Sequence, residues 1–492
     1  MSDDQHEHEE TFEPATLGAT PSSADALEER VAPVGMSSWP MYALGLVLLV
    51  DQMDQSIVRG MVTSLKDHFQ VGDFQIGLLT SAFLLVNGVI TLPAGYLADR
   101  WHRTRTIGHT VLGWSAITAL GAAAPNFPAL VALRAGLGFG QGITEPSAGS
   151  LLADYYPIER RGRAFSIQQI LLFVGIGSGI GIGGFISSNW GWRWGFFVAG
   201  LPGLIVAFVA YRLKEPKRGA ADRLHLGIED DDSIEAELGQ PLFDHGFNAF
   251  VRDMWDGLKA DLRTIMRITT MRYALVGIAV LQFTVFGIST WLPQFYERQM
   301  HVATGRAEGV VGALIILGGI PGILLGGRIA DLFNDRVRGA RMAIPAYCIM
   351  IGTTFFAVSY IHMPLAAVFI MQMLGLFVIV MAIPALRAGL SDALPANLRG
   401  AGFGAFNIVT VVLGAASAPL IVSALSQIFD DNLRTAFLIV TPPVYLGAFI
   451  LLKARDHLEA DTAKIFEAIM TAMQEQQERE AREAAEREAD NA

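Results

Sequence analysis

The stretch that decides the fold is residues 134–163, RAGLGFGQGITEPSAGSLLADYYPIERRGR. It is largely apolar, yet it carries Arg134 and Glu145 and ends in a basic cluster. Because a charge in hydrocarbon costs about 2.5–3.5 kcal/mol on insertion scales, such residues usually face a cavity or a partner. Its residues Pro146, Asp154, Pro157, Arg161 and Gly162 recur at a constant offset as Pro384, Asp392, Pro395, Arg399 and Gly400. This echo indicates two halves of one repeated membrane unit.

The composition supports a membrane protein. Of 492 residues, 52% are hydrophobic and only 17% are charged, and the mean hydropathy is +0.40, a balance that soluble enzymes rarely show. Most of the net charge of -11 comes from residues 1–38, so the net charge says little about the substrate. We expect no nucleic-acid partner. The single cysteine, Cys348, excludes an internal disulfide and a Cys-x-x-Cys metal site. We therefore expect no metal, no cofactor and no enzymatic activity.

Twelve apolar windows of about 20 residues, the length needed to cross a bilayer, follow one another with short polar breaks. They lie near 41–65, 75–98, 106–124, 127–153, 163–188, 193–213, 273–296, 308–331, 341–361, 364–391, 401–427 and 435–453. This pattern predicts an all-α membrane protein with twelve transmembrane helices in two pseudo-symmetric six-helix halves, residues 39–213 and 273–455. We expect it to act as a monomer surrounded by membrane lipids.

The remaining segments are polar. Residues 1–38 hold too little apolar surface to fold and are expected to be a disordered acidic tail. The linker 214–272 contains apolar residues at helical spacing, which predicts an amphipathic helix along the membrane surface. These residues are Phe247, Phe250, Met254, Leu258, Leu262 and Ile265. Residues 456–492 are expected to form a charged, solvated helix.

The loops predict the orientation, because short cytoplasmic loops are enriched in Lys and Arg. One side carries Arg100, Arg103, Arg105, Arg160, Arg161, Arg163, Arg336, Arg338, Arg341 and Arg399. The opposite side carries Lys66, Arg193, Arg298, Arg306 and Arg434. The more basic side should be cytoplasmic, which predicts a multi-pass protein of the cell membrane with both termini and the linker in the cytoplasm.

The first window contains two carboxylates, Asp51 and Asp54, near its middle. Their spacing of three places both on one side of a helix at similar depth. Two neighbouring carboxylates in a low dielectric cannot both ionise cheaply, so one of them could take up a proton. A static ion pair with Arg59 or Arg134 is the alternative interpretation.

In the fourth window, Arg134 and Glu145 are eleven residues apart, so they share a helix face and differ in depth by about 16 Å. Arg134 can then pair with Asp54, while Glu145 lies nearer the cytoplasm beside Pro146, which should loosen the helix. Carboxylates at different depths with an arginine between them suit a proton relay. A passive ion network would look the same, so both interpretations stay open.

Two further sets of residues bear on packing and on the cavity. Gly175, Gly179 and Gly183 recur every four residues in the fifth window, a spacing that lets two helices approach closely. Polar residues within other windows are candidates to line a substrate cavity, although each could equally form an interhelical hydrogen bond. They are Asn87, Gln141, Gln168, Gln282 and Asn407.

A candidate gate lies at the cytoplasmic helix ends. The second-to-third loop is GYLADRWHRTR, residues 95–105, and its counterpart in the second half contains Asp331. A carboxylate at a helix end can hold arginines or helix N-termini and so lock one face shut, although positive charge that merely sets topology is the alternative. The predicted gate residues are Gly95, Asp99, Arg100, Arg103, Asp154, Arg161 and Asp331.

The loop GYLADRWHRTR resembles the Gly-x-Leu-x-Asp-Arg-x-x-Arg signature of the major facilitator superfamily. With six plus six helices, the resemblance covers about residues 40–455. It implies an alternating-access carrier in which two rigid halves rock around a central cavity.

Within that superfamily, residues 134–166 are similar to the spinster branch, whose members move lysolipids and sphingolipids. That branch has Arg-x3-Gly-x-Gly-Glu in its fourth helix and Asn-x-x-Asp-Arg in its first. This chain matches at Arg134, Gly138, Gly140 and Asp54, but it has Gln141, Gln55 and Asp51 where the glutamate, the arginine and the asparagine stand. Glu145, one turn along, is the expected substitute for the missing acid.

These observations predict a proton-coupled secondary transporter that exports an amphipathic or lipid-like molecule or a drug. Asp54, Glu145 and Asp51 would carry protons, and Arg134 would tune Asp54. An uptake symporter for an organic anion, with Arg134 binding the substrate carboxylate, is one alternative. A non-transporting receptor or scaffold that uses the tails is the other.

Overall fold

Long apolar segments form helices in a bilayer because a helix satisfies its backbone hydrogen bonds internally. The computed structural model describes residues 37–98, 102–156, 158–216, 252, 255–256, 259–260, 262–334, 339–393 and 408–464. The first half contains α1 (Trp39–Gly60), α2 (Asp73–Ala98), α3 (Arg103–Gly121), α4 (Phe127–Tyr155), α5 (Ile158–Trp190) and α6 (Trp192–Tyr211). The second contains α7 (Thr269–Arg298), α8 (Arg306–Asn334), α9 (Ala340–Ser359), α10 (Leu365–Asp392), α11 (408–428) and α12 (433–464).

The twelve helices follow the predicted windows in order. Of the described helices, nine are long and apolar enough to cross a membrane by length and composition alone. The other three, α1, α3 and α4, carry charged side chains within or at the start of the span, among them Asp54, Arg103 and Arg134. The prediction of an all-α fold with two six-helix halves is confirmed.

Three helix details differ from the predicted windows. α1 ends at Gly60, and a separate short helix, Val62–Phe69, follows Met61. α11 contains a π-helical turn at Val411–Ala415. α12 continues through residue 464, with one bend at Thr441, so the boundary predicted at 455 lies inside a helix.

The extension of α12 has a physical cause at the start of α7. The carboxylate of Asp461 accepts hydrogen bonds of 2.9 Å from both the backbone N–H and the hydroxyl of Thr270. A carboxylate is favoured at a helix N-terminus, where backbone N–H groups have no partner within the helix. The end of α12 is thereby tied to the start of α7.

The linker helix is only partly within the described residues. All described positions from 252 to 265 are helical, and Ile265 is buried in the core of the second half. Four of the predicted apolar positions, Phe247, Phe250, Met254 and Leu258, lie outside the described residues, as do 1–36 and 465–492.

We call the two ends of the helix bundle the linker side and the far side. The linker side is the end where α6 ends and α7 begins, and the far side is the end that holds loops 70–72 and 299–305. The halves meet on the far side: Asp73 accepts hydrogen bonds of 2.7 and 2.8 Å from Arg298, and Glu297 accepts one of 2.6 Å from Thr63. These bonds tie the first half to the second.

Candidate proton and substrate site

The best-defined buried charge cluster surrounds Asp54, which is fully buried in α1. Its carboxylate accepts hydrogen bonds of 2.9 Å each from Thr118 of α3 and Gln141 of α4. Arg134 of α4 lies 3.6 Å from one carboxylate oxygen and donates to the Asp54 carbonyl at 3.2 Å. Two helices, α3 and α4, thus deliver two neutral donors and one cation to a single carboxylate of α1.

Arg134 is enclosed by the first half. Its guanidinium lies 5.5 Å from the ring centroid of Phe83 and 5.9 Å from that of Phe196, distances at which a cation is attracted to an aromatic face. Only 4% of the side chain is exposed. Arg134 is therefore paired with Asp54, although its Nη1 has no hydrogen-bond partner among the described residues.

Asp51 lies one turn before Asp54 and has a different environment. One of its oxygens accepts hydrogen bonds from Gln52 at 3.1 Å and from Gln55 at 2.8 Å. The other oxygen is buried without a hydrogen-bond partner among the described residues. Asp51 also interacts electrostatically with Glu145, whose side chain is exposed. A buried carboxylate oxygen with no donor, beside a second carboxylate, favours the protonated form of the group.

Arg59 of α1 is a second buried cation. In the part of the chain that the structure describes it forms no ion pair, and its Nε has no hydrogen-bond partner. The guanidinium lies 5.9 Å from the ring centroid of Phe286, which belongs to α7 of the other half. Of the two ion pairs considered for the aspartates, the structure therefore contains the one with Arg134 and not the one with Arg59.

The predicted cavity residues differ in burial. Gln141 is buried and bonded to Asp54, and Gln168 of α5 is buried. Asn87 of α2 and Gln282 of α7 are partly buried, while Asn407 lies outside the described residues. No two of the four described side chains are hydrogen-bonded to each other.

The predicted gate is only partly described. Asp99 and Arg100 lie outside the described residues, and Gly95 and Asp331 are placed only as helical positions of α2 and α8. Arg161 donates from its Nε to the carbonyls of Ala153 at 3.0 Å and Tyr156 at 2.9 Å. Its contacts therefore hold the turn between α4 and α5.

Arg103, at the start of α3, is almost fully buried and organises the linker side of the first half. It is ion-paired with Asp154 and with Glu215, the latter at 2.8 Å, and it donates to Ser150 at 2.9 Å. All of these partners belong to the first half or to its junction with the linker. The contacts of Arg103 with described residues thus stabilise the first half.

Glu215 was missed in the sequence because it lies at the beginning of a polar linker. It accepts the backbone N–H of Thr104 at 2.8 Å as well as the guanidinium of Arg103. Burial raises the pKa of the Glu215 carboxyl, but these donors more than offset it, so its pKa lies below the ordinary value.

This environment predicts a pH-dependent stability effect for Glu215→Gln. A carboxyl whose pKa is lowered by folding stabilises the folded state above its ordinary pKa, and this contribution is lost as the pH falls through the folded-state pKa. We expect the variant to lose about 1–2 kcal/mol at neutral pH and to match the wild type in acid. Thermal unfolding in detergent at both pH values measures this. The exposed Asp67→Asn is the control, and an equal loss at both pH values would contradict the assignment.

Comparisons with known proteins agree with this architecture. The sequence profile of the Major Facilitator Superfamily matches residues 44–419. Protein spinster of Drosophila melanogaster is 24% identical over 347 residues, which are 68% of this chain and 52% of that protein, so the chain spans about half the length of this relative. The niacin transporter NiaP of Acinetobacter baylyi is 24% identical over 427 residues, 83% of this chain and 92% of that protein.

Among solved structures, the fold is similar to that of a bacterial homolog of the human lysosomal transporter Spinster in an inward-facing, unoccupied conformation. The TM-score is 0.66 at 20% sequence identity, covering 88% of this chain and 98% of that one. The expected spinster-type resemblance is confirmed. Since the family profile covers most of the chain and the twelve-helix fold agrees with it, this chain belongs to the Major Facilitator Superfamily and is a multi-pass membrane transporter rather than an enzyme.

Proposed function

We propose that this chain is a proton-coupled secondary transporter that exports an amphipathic, lipid-like molecule by alternating access. It would lie in the cell membrane with the linker side and both termini in the cytoplasm. The observation that carries the proposal is the environment of Asp54, a fully buried carboxylate in a spanning helix with one arginine and two neutral donors around it.

Protonation of Asp54 would change the forces within the first half. The ionised carboxylate balances Arg134, whereas a neutral carboxyl would leave the guanidinium without its counter-ion in a low-dielectric core. A relay from solvent is supported by Glu145, which is exposed and interacts with Asp51, the neighbour of Asp54 on α1. Loading and release of a proton at Asp54 would thus bias the packing of α1 against α3 and α4.

The substrate class is supported by the surface that the two halves present to each other. Arg59 of α1, a cation without an ion pair among the described residues, lies against the ring of Phe286 of α7. An anionic head group would neutralise the guanidinium, and an apolar body would pack on the ring. The resemblance to spinster proteins, a branch that moves lysolipids, favours the same class.

A second candidate function is uptake of a small organic anion with protons. Arg59 favours it too, because an unpaired buried cation suits a carboxylate, and NiaP is named as a niacin transporter. In this alternative the anion would bind Arg59, since Arg134 is already paired with Asp54.

Counterflow in proteoliposomes distinguishes the two functions. Purified protein would be reconstituted with a trapped pH-sensitive dye and loaded with either a lysophospholipid or nicotinate, with empty vesicles as the control. We expect counterflow exchange of the lysophospholipid, and proton movement when loaded vesicles are diluted into lysophospholipid-free buffer so that net flux occurs. Exchange of nicotinate alone would favour the second candidate, and net substrate flux without any proton movement would contradict coupling in both.

A further inference from the structure

Two carboxyl groups on the far side have no role in the site described above. Glu297 lies near the end of α7 and is partly buried, and Glu308 lies near the start of α8 and is fully buried. The two carboxyl groups are within hydrogen-bonding reach of each other. Loop 299–305 brings them together, so they form a pair at the tip of one helical hairpin.

Two oxygen atoms of this pair lack a hydrogen-bond donor, which one proton would supply. One oxygen of Glu297 accepts from the hydroxyl of Thr63, and one oxygen of Glu308 accepts from the backbone N–H of Gly305, both at 2.6 Å. The remaining oxygen of each is buried and has no donor in the described residues. Ionised carboxylates are acceptors only, whereas a protonated carboxyl donates one hydrogen bond. One proton between the groups therefore satisfies both oxygens.

A further side chain nearby also lacks partners. Gln294, one turn before Glu297 on α7, is fully buried, and neither its amide nitrogen nor its amide oxygen has a hydrogen-bond partner among the described residues. Its spacing of three places it on the same helix face as Glu297. The far end of α7 thus carries unsatisfied polar groups beyond the pair itself.

The pair lies in the seam between the two halves. Thr63, which donates to Glu297, belongs to the first half. Glu308 packs against Gly184 of α5, where an added Cβ would come within 2.4 Å of the Glu308 side chain. A Cβ added at Gly305 would come within 2.6 Å of the Ser188 hydroxyl of α5. Any charge that develops on the pair would therefore act directly on the contact between the halves.

No cation forms an ion pair with either carboxyl group in the described part of the chain, although Arg298 interacts electrostatically with its neighbour Glu297. Lys66 and Arg298 are both bound to Asp73, and Arg434 contacts the sulfur of Met300. The charged groups and histidines on the surrounding elements are Lys66, Asp67, His68, Asp73, Arg193, Arg298, His301, Arg306, Asp430, Asp431 and Arg434. None of them forms an ion pair with Glu297 or Glu308.

We propose that Glu297 and Glu308 form a second proton-binding site, in which one shared proton holds the far side closed and its loss separates the two halves. Without the proton, the hairpin of the second half holds two anions that repel each other and that the first half covers at Thr63 and Gly184. Burial of unpaired charge is costly, so opening the seam to water relieves it. This site is distinct from that of Asp54, which lies within α1, nine residues before Thr63. It depends neither on the substrate nor on the coupling role of Asp54.

The test measures far-side closure as a function of pH in the full chain. The single native cysteine would be removed by Cys348→Ala, and spin labels would be attached at Ala123→Cys and His362→Cys, exposed far-side positions in opposite halves. Pulsed electron resonance then gives the populations of short and long distances. Since one proton is released, we expect the ratio of closed to open molecules to fall about tenfold for each pH unit above the transition.

Two variants imitate the protonated pair. In Glu308→Gln the amide oxygen can accept from Gly305 and the amide nitrogen can donate to Glu297, and Glu297→Gln works in the same way toward Thr63 and Glu308. We expect either variant to keep the short distance at every pH, while Asp67→Asn behaves as the wild type. A pH-independent wild type, a glutamine variant with wild-type pH dependence, or closure that follows sodium concentration instead of pH would overturn the proposal.

Discussion

Asp54→Asn is expected to abolish transport driven by a pH gradient in reconstituted vesicles, reducing it to the level of empty vesicles. Asparagine keeps the size of the side chain and can still contact Thr118 and Gln141, which hydrogen-bond to Asp54 in the wild type. It cannot ionise, so Arg134 loses its counter-ion permanently. Breaking a buried ion pair from one side costs about 3–5 kcal/mol, and we therefore also expect a lower unfolding temperature.

The loss of stability and the loss of coupling must be separated. Thr118→Val removes one hydrogen bond to Asp54 but leaves the carboxylate and Arg134 in place, so it serves as the matched control. It should retain pH-driven transport at a reduced rate. If folded Asp54→Asn protein, checked by size-exclusion chromatography, transports like the wild type under the same gradient, the proton role of Asp54 is wrong.

Gly179→Ala is expected to disrupt the packing of α1 on α5. A Cβ at this position would lie 2.4 Å from the carbonyl oxygen of Met53, a backbone atom that cannot rotate away. Gly175 and Gly183 approach the carbonyls of Leu49 and Ile57 at 2.3 and 2.6 Å in the same way, so the helix cannot shift locally. We expect a loss at or above the upper end of the roughly 1–3 kcal/mol typical of overpacking.

Gly181→Ala, on the same helix, is the control. A Cβ at Gly181 would meet one atom only, the Cα of Gly309, at 3.9 Å. Alanine is preferred to glycine in helices by about 1 kcal/mol, so this variant should be as stable as the wild type or more stable. Thermal unfolding of both variants in the same detergent gives the comparison. Equal effects of the two substitutions would show that close backbone packing at Gly179 does not limit stability.

Much of the first half follows from local patterns. Apolar windows predict the helices because membrane insertion depends on the length and polarity of each segment. The four-residue spacing of Gly175, Gly179 and Gly183 correctly predicts close helix packing, since that spacing puts all three on one face. The pairing of Asp54 with Arg134 was also predictable, because few charges occur within the windows and these two match in depth.

Other features needed the coordinates. Glu215 is one of many charged residues near the linker, and only the fold brings it to Arg103, 112 positions away in the chain. Glu297 and Glu308 flank a loop, where acidic residues are normally solvated. Glu308 is buried against α5, and Glu297 is held by Thr63 of the first half. The extra length of α12 likewise depends on a contact between Asp461 and Thr270, 191 positions apart.

The sequence by itself determined that this chain is a twelve-helix transporter with unusual charges in its first and fourth helices, because helix length, polarity and spacing are local properties of the chain. Only the tertiary structure decided which charges are satisfied. Asp54 has Arg134 and two neutral donors, Arg59 has no counter-ion among the described residues, and Glu297 meets Glu308. The physical reason is that the cost of a charge depends on its burial and on its partners, and both come from segments distant in the chain.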